Sequence, residues 1–410
     1  MDTTADVCVV GAGPAGLTLS LLLVRSGLST VLVERSGSLA REYRGEILQP
    51  GGQRLLAQLG VLDGARERGS HELTGFQLRD GGRVLFDVDY RRLPPPYDRL
   101  LSIPQQHVLA ELLERCHDYP GFTYLGGTRV SGLIREAGRV RGVTVHGDGG
   151  SRSIHAGWVV GADGRYSKVR RLADIGYDRL EVFSHDLLWF KVPAGDCAPA
   201  TVQVVRGGGN PVLIHRSYPD QVQIGWSLPH GTYQQVTEVG VGAVADGVGR
   251  ALPAYAATVR DCLTGLDKLS LLDVFAGEAR QWAEPGLVLI GDAAHTHSPL
   301  GAQGINLAIQ DAVALHPALV AEAAGEETGA VDRYIRARRR DIKSVLKFQV
   351  IQSRAMFSAS PVADFIRPKA VAVLAHTPAY RHLTTKVAYG NAAITVHDGL
   401  FMAPAGRSAR

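Results

Sequence analysis

A glycine-rich turn, Gly11-x-Gly13-x-x-Gly16, stands between the apolar residues 7–10 and the leucine-rich segment Pro14–Arg25. That order fits a buried strand, a tight turn and a buried helix whose first turn can approach a pyrophosphate closely. Residues 29–34, with Val31, Leu32 and Val33 at their centre, read as the next parallel strand and complete a βαβ unit. Glu34 ends that strand, where a carboxylate can accept hydrogen bonds from an adenosine ribose. The pattern points to a dinucleotide site built from Gly11, Gly13, Pro14, Ala15, Gly16, Glu34 and Arg35, and by itself it does not separate FAD from NAD.

Residues 7–24 carry no charge, so a signal or membrane segment is the competing reading. Three glycines and Pro14 at the centre, preceded by Asp2 and Asp6 rather than a basic leader, argue against it. The 410 residues, 20% charged and 45% hydrophobic, fit one large or two medium domains with substantial cores. A net charge of +4 is small for this length, and Arg336, Arg338, Arg339 and Arg340 read as a solvated helix face, so nucleic acid is not an expected partner. Cys8, Cys116, Cys197 and Cys262 are too scattered for a disulfide framework and read as reduced thiols in the cytoplasm. Monomer and homodimer both remain open.

The fold class expected is α/β, a Rossmann-type domain with an inserted β-rich domain and a helical C-terminal segment. Residues 1–71, 103–182 and 276–345 form the nucleotide-binding domain, discontinuous in sequence. Residues 72–102 and 183–275 form the β-rich substrate domain, and 346–410 the helical segment with a polar tail. Helices are expected over 51–59 and 106–116, and strands around 202–205, 212–215, 222–226 and 287–290.

Two further motifs follow strands. In GADGRYSKVRR, Asp163, Gly164, Ser167 and Arg170 enter a helix, although any strand-to-helix turn carries an Asp, a Gly and a capping Ser. In GDAAHTHSPLGAQGINLAIQDA, Asp292 ends a strand where it can bind a ribityl or ribose hydroxyl. Pro299, Gly301 and Gly304 shape a loop into a helix whose positive N-terminus suits an anionic ring. His295 and His297 lack a neighbouring ligand cluster and read as structural histidines on a loop, with no metal expected.

In this order the motifs resemble the flavoprotein aromatic hydroxylases, the family of para-hydroxybenzoate hydroxylase and the ubiquinone-pathway hydroxylases, over about residues 6–346. The resemblance implies non-covalently bound FAD, with Gly11, Gly13, Gly16 and Glu34 at its ADP half. It implies Asp163, Gly164 and Arg170 near FAD and pyridine nucleotide, and Gly291, Asp292, Pro299, Gly301, Gly304 and Asn306 along the ribityl chain and ring. Arg44 in RGEILQPG and Gln106 in QQHVLAELL match cofactor-contacting positions, with exposed surface charge the alternative for Arg41 and Arg44. Tyr334 and Arg338 match a YxxxR of structural role, while Pro317 departs from the pattern and should kink or stop its helix.

The reaction implied is reduction of the flavin by NADH or NADPH, addition of O2 at C4a, and delivery of electrophilic oxygen from the hydroperoxide to an aromatic or polyketide-like small molecule, a role that fits secondary metabolism. No side chain is named as catalytic acid or base. The substrate pocket is expected between the β-rich domain and the flavin, with His215, Tyr218, Trp189 and Trp226 as candidate liners. A flavin dehydrogenase or reductase, a Baeyer-Villiger oxygenase, and a non-redox cyclase using FAD as scaffold are the alternatives.

Overall fold

The computed structural model describes residues 3–40, 45–207, 209–357, 369, 373 and 377–402. The strand Thr3–Val10 lies inside an eight-stranded mixed sheet, parallel to Thr30–Val33 on one side and Gly150–Gly161 on the other. Leu287–Leu289 and Phe122–Leu125 extend the parallel set outward. Val10 pairs with Val33 and with Gly161, and Gly161 pairs with Leu289, so four carboxyl ends finish level. In a parallel sheet of this kind the ligand crevice forms there.

Both faces of the sheet are covered. Val7 and Val9 face the helices Pro14–Arg25, Gln105–His117 and Gly304–Ala323, while Cys8 and Val10 enter the opposite core with Val159, Leu287 and Trp282. Strands buried on two sides read as continuous apolar runs, as residues 7–10 do. Leu17, Leu19, Leu21, Leu22 and Leu23 have no exposed surface. Each such side chain contributes about 1.5–3 kcal/mol relative to exposure. The uncharged stretch 7–24 is therefore a core strand, a turn and a core helix. Among the described helices Gly304–Ala323 is long and apolar enough to cross a bilayer, and 67% of its apolar window is buried inside this fold.

Pro317 neither stops nor shortens that helix, which continues to Ala323. Packing overrides the missing N–H: Leu315, His316 and Leu319 are fully buried, and His316 shares a 2.8 Å hydrogen bond with Ser26 of the neighbouring helix. The Arg336–Arg340 run is not a uniformly solvated face either. Arg338 is 2% exposed because it turns inward onto Asp311, whereas Arg336 and Arg340 are exposed.

A second sheet has seven strands, in the order Ser270–Leu272, His185–Pro193, Gln221–Pro229, Val212–Ser217, Val202–Arg206, Gly75–Asp80 and Arg83–Asp89. Its outer face carries three helices, Tyr233–Val239, Val241–Ala251 and Ala256–Cys262, inside a stretch expected to be β-rich. Four glycines, Gly240, Gly242, Gly247 and Gly249, lower helix propensity there and hid the spacing of Val241, Val244, Ala245 and Val248. Leu100–Ser102 does not join this sheet; it pairs with Ile47–Leu48 and His71–Leu73. The helix Ala330–Phe357 runs unbroken through the boundary expected at 345.

Acid should loosen the helix pair. Burial pushes His316 down to about 4, so from pH 6.5 downward the unfolded chain takes up a proton that the folded chain refuses. The stability this ring confers is complete above pH 6.5 and declines as pH falls toward 4. Denaturant titrations should show that His316→Phe removes about 1.5 kcal/mol of the loss seen between pH 6.5 and 5.

Candidate functional site

Gly11 leaves the first strand with φ +106°, and a Cβ there would lie 2.5 Å from the Ala162 carbonyl oxygen. A Cβ on Gly16 would lie 1.9 Å from the Gly11 carbonyl oxygen. Only glycine permits this closure. Glu34 is buried and folds back over the turn, its Oε2 accepting the Ala12 N–H at 2.8 Å and its Oε1 the Ser36 N–H at 3.0 Å. Arg35 beside it is exposed. The helix begun by Gly13, Pro14 and Ala15 has no side-chain cap and no acidic residue in its first turn. Its positive end therefore suits an anion supplied from outside.

The second motif abuts the first, since the Ala162 N–H donates to the Val10 carbonyl at 2.8 Å. Asp163 accepts the Lys168 and Val169 N–H groups at 2.6 and 3.0 Å and the Ser167 hydroxyl at 2.5 Å. Burial pushes its carboxyl up against those bonds, and the whole carboxylate serves the turn. Gly164 supplies the positive φ of +82°. Arg170, stacked 4.1 Å over Tyr177, donates to the carbonyls of Ala293 at 2.8 Å and Arg165 at 3.1 Å. It fastens the second motif to the third, and Arg165 adds an ion pair to Asp292 at 3.6 Å.

In the third motif a Cβ on Gly291 would lie 3.3 Å from Ala15 and 3.7 Å from Ala308, so this turn touches the starts of both core helices. The Gly291 N–H donates to Asp311 at 2.8 Å. Asp311, with no exposed surface, also receives Arg338 at 2.6 Å and His295 at 2.7 Å. Burial alone would push its carboxyl up, but His295 and Arg338 outweigh that and hold it well below the carboxylate range. His295 and His297 share a 3.1 Å hydrogen bond, and among the described residues no group of three or more side chains is arranged to hold a metal.

The Gly301 carbonyl accepts Gln49 at 2.8 Å and Gln303 at 3.1 Å, while Asn306 accepts the Gln49 N–H at 2.9 Å and donates to Ala302 at 2.8 Å. These bonds set the loop through Pro299 and Gly301 above the helix starting at Gly304, which again has no side-chain cap and no acid in its first turn. Gly304 is exposed and Asp292 partly so. Arg41 and Arg44 lie outside the described residues. Gln106 is exposed on its helix, while buried Gln105 meets the loop: a Cβ on Gly45 would lie 2.6 Å from its Nε2. Gln105 stands in helical phase with the buried Val108, Leu109 and Leu112, which turns it inward and leaves Gln106 outside.

On the substrate side, Trp189 and His215 stand on the inner face of the seven-stranded sheet, Trp189 packed with Leu187, Leu213 and Val274 and His215 beside Ser102. Trp226 does not; it packs among the outer helices, with its indole against Gly247. The strand's period of two sends it opposite to Gly225. Tyr218 sits past a strand end, edge-on to His107 at 5.6 Å. A pocket between the inner face and the loop is lined by Phe183, Leu187, Leu213, Val274, Pro299 and Leu300, with Ser184, Ser227, Ser298, Ser353 and His185. Sequence reasoning missed Gln49, Arg165, Asp311 and this set of serines, none of which stands in a distinctive pattern, and Gln105, whose helical spacing from Val108, Leu109 and Leu112 was the available signal.

Residues 4–349 match the family described as FAD binding domain. Over 398 residues, 97% of this chain and 95% of the relative, the sequence is 54% identical to a 6-methylpretetramide 4-monooxygenase of Streptomyces rimosus. The fold is similar to that of p-nitrophenol 4-monooxygenase PnpA from Pseudomonas putida DLL-E4, with a TM-score of 0.81 at 20% identity over 95% of this chain and 99% of that one. It is also similar to OxyS anhydrotetracycline hydroxylase from Streptomyces rimosus, with a TM-score of 0.76 at 23% identity over 94% of this chain and 76% of that one.

Two outcomes check the site. Asp292→Ala should be purified without FAD, and Glu34→Ala should bind it more weakly by about 2 kcal/mol, both read by flavin absorbance and titration; wild-type flavin content in Asp292→Ala contradicts the third-motif assignment. Arg338→Met removes the guanidinium that pairs with buried Asp311 and should lower stability by about 3–5 kcal/mol in denaturant.

Proposed function

We propose that this chain, which belongs to the flavoprotein aromatic hydroxylase family and is an FAD-dependent monooxygenase, oxygenates a planar, fused-ring phenolic polyketide of secondary metabolism. The observation that carries the substrate class is the 54% identity, across nearly all of both chains, to a 6-methylpretetramide 4-monooxygenase.

FAD, when bound, supplies the oxygen-activating redox chemistry with electrons from NADH or NADPH. The residues fit that group. Gly11, Gly13, Pro14, Ala15 and Gly16 hold the pyrophosphate at an uncapped helix N-terminus, and Glu34 and Arg35 serve the adenosine ribose. Asp292 serves the ribityl hydroxyls, and Pro299, Gly301, Gly304 and Asn306, with Gln105 in place of Gln106, frame the ring. The second uncapped helix end, at Gly304, favours negative charge on the reduced ring. Asp163, Gly164 and Arg170 border the nucleotide and also hold the loops in register, Asp163 through the Lys168 N–H and Arg170 through the Ala293 carbonyl.

Phe183, Leu187, Leu213, Val274 and Leu300 give the face beneath the Pro299 loop apolar walls that exclude water. The reading places the enzyme in the cytoplasm, as monomer or homodimer, with its substrate, O2 and NAD(P)H as small-molecule partners.

The test is turnover of fused-ring phenolic polyketides with NADPH or NADH under 18O2. One labelled oxygen atom in the product, with nicotinamide consumption, is the expected result. Product formed without label, or without reductant, would favour a dehydrogenase or a non-redox cyclase instead.

A further inference from the structure

The inner face of the seven-stranded sheet carries a row of three long polar side chains. Lys191, Gln223 and His215 are register partners across three adjacent strands, so their side chains stand next to one another on the face away from the outer helices. Two of the three are already engaged within the protein. Lys191 donates to Glu46 Oε1 at 2.5 Å, and Ser217 donates to Glu46 Oε2 at 2.7 Å. His215 Nδ1 lies 3.0 Å from the Arg216 carbonyl, which can only accept, so this nitrogen carries the proton. Burial holds that ring below the usual histidine range, and it is neutral at pH 7. Gln223 differs: it is 3% exposed, and its Oε1 is buried with no hydrogen-bond partner.

An orphaned amide oxygen is costly in a face that could have carried a leucine. What lies beside it indicates what completes it. Two residues along the same strand, a Cβ on Gly225 would come within 2.6 Å of the Trp189 ring, so the glycine lets the indole lie across the sheet. Beyond Trp189, Leu187, Leu213 and Ser227 line the pocket closed by Pro299 and Leu300. Amide, flat aromatic surface and pocket thus follow one another on the face that confronts the third motif.

We propose that Gln223 is a substrate-recognition residue that reads a hydrogen-bond donor lying beside an acceptor on the edge of a planar ring system, as in a carboxamide or an enolised 1,3-dicarbonyl. The inference rests on the oxygenase reading above and adds the group that is recognised. A side-chain amide offers an N–H donor beside an acceptor oxygen, so a ligand carrying both groups side by side makes two straight hydrogen bonds, whereas a single phenol oxygen must serve both atoms in bent, weaker ones. Sites built to bond a polar group reject analogues that lack it far more strongly than apolar pockets discriminate by size. With one end anchored, the ring carbon presented to the flavin is fixed by distance along the ligand.

The experiment is equilibrium binding to the FAD-loaded enzyme, followed by the change in flavin absorbance, with 1-hydroxy-2-naphthamide and 1-naphthol as probes. The wild type should favour the naphthamide by about tenfold or more. Gln223→Met and Gln223→Leu, both close to glutamine in volume and checked for wild-type FAD content, should bring that ratio to within about twofold. Equal affinities in the wild type, or a preference that survives in either flavin-loaded variant, overturns the proposal alone. Failure of the wild type to bind either probe overturns it together with the fused-ring reading on which it rests.

Discussion

The contact on which the rest depends is the backbone approach of Gly11 to Ala162. The two turns lie too close for any side chain between them, and each continues the sheet's hydrogen bonding one residue past its strand: Gly11 to Val33 at 2.7 Å, and Ala162 to Val10 at 2.8 Å. Ile290 extends the same ladder to Gly161 at 3.0 Å. Three loops separated by more than a hundred residues are therefore held edge to edge by backbone geometry, before any ligand takes part. Two helix ends that the protein leaves uncapped face the crevice so formed.

Beneath that surface, Asp311 does the equivalent work with charge. It ties the Gly291 turn to His295 and to Arg338 on the following helix, with no water exposure at the carboxylate. The pairing keeps a buried anion tolerable and fixes the height of the Gly291–Asp292 turn against the first turn of the opening helix. Arg170 performs the lateral tie, from the second motif to Ala293. These residues stabilise the shape of the crevice while their own polar atoms remain within the protein.

Much of this was legible in the sequence because it rests on local rules. Glycines at 11, 13 and 16 between an apolar run and a leucine-rich helix leave few alternatives, and the helix appears over Pro14–Arg25 as expected. What escaped notice depends on tertiary contacts. The inward turn of Arg338 and the survival of the helix past Pro317 are each decided by neighbours distant in sequence. Trp226 shows the same limit: alternation says that it and Gly225 face opposite ways, but only the sheet's surroundings say which way is inward. The helices between 233 and 262 were hidden by glycines that packing against the sheet tolerates.

The most direct test of the central claim is the FAD dissociation constant of Gly11→Ala, measured by titrating flavin into the apoprotein, with circular dichroism recorded alongside. A methyl at that position forces the first and second motifs apart, so affinity should fall by more than about tenfold while secondary structure persists. An unchanged dissociation constant would mean that the crevice between these turns is not where the flavin is held.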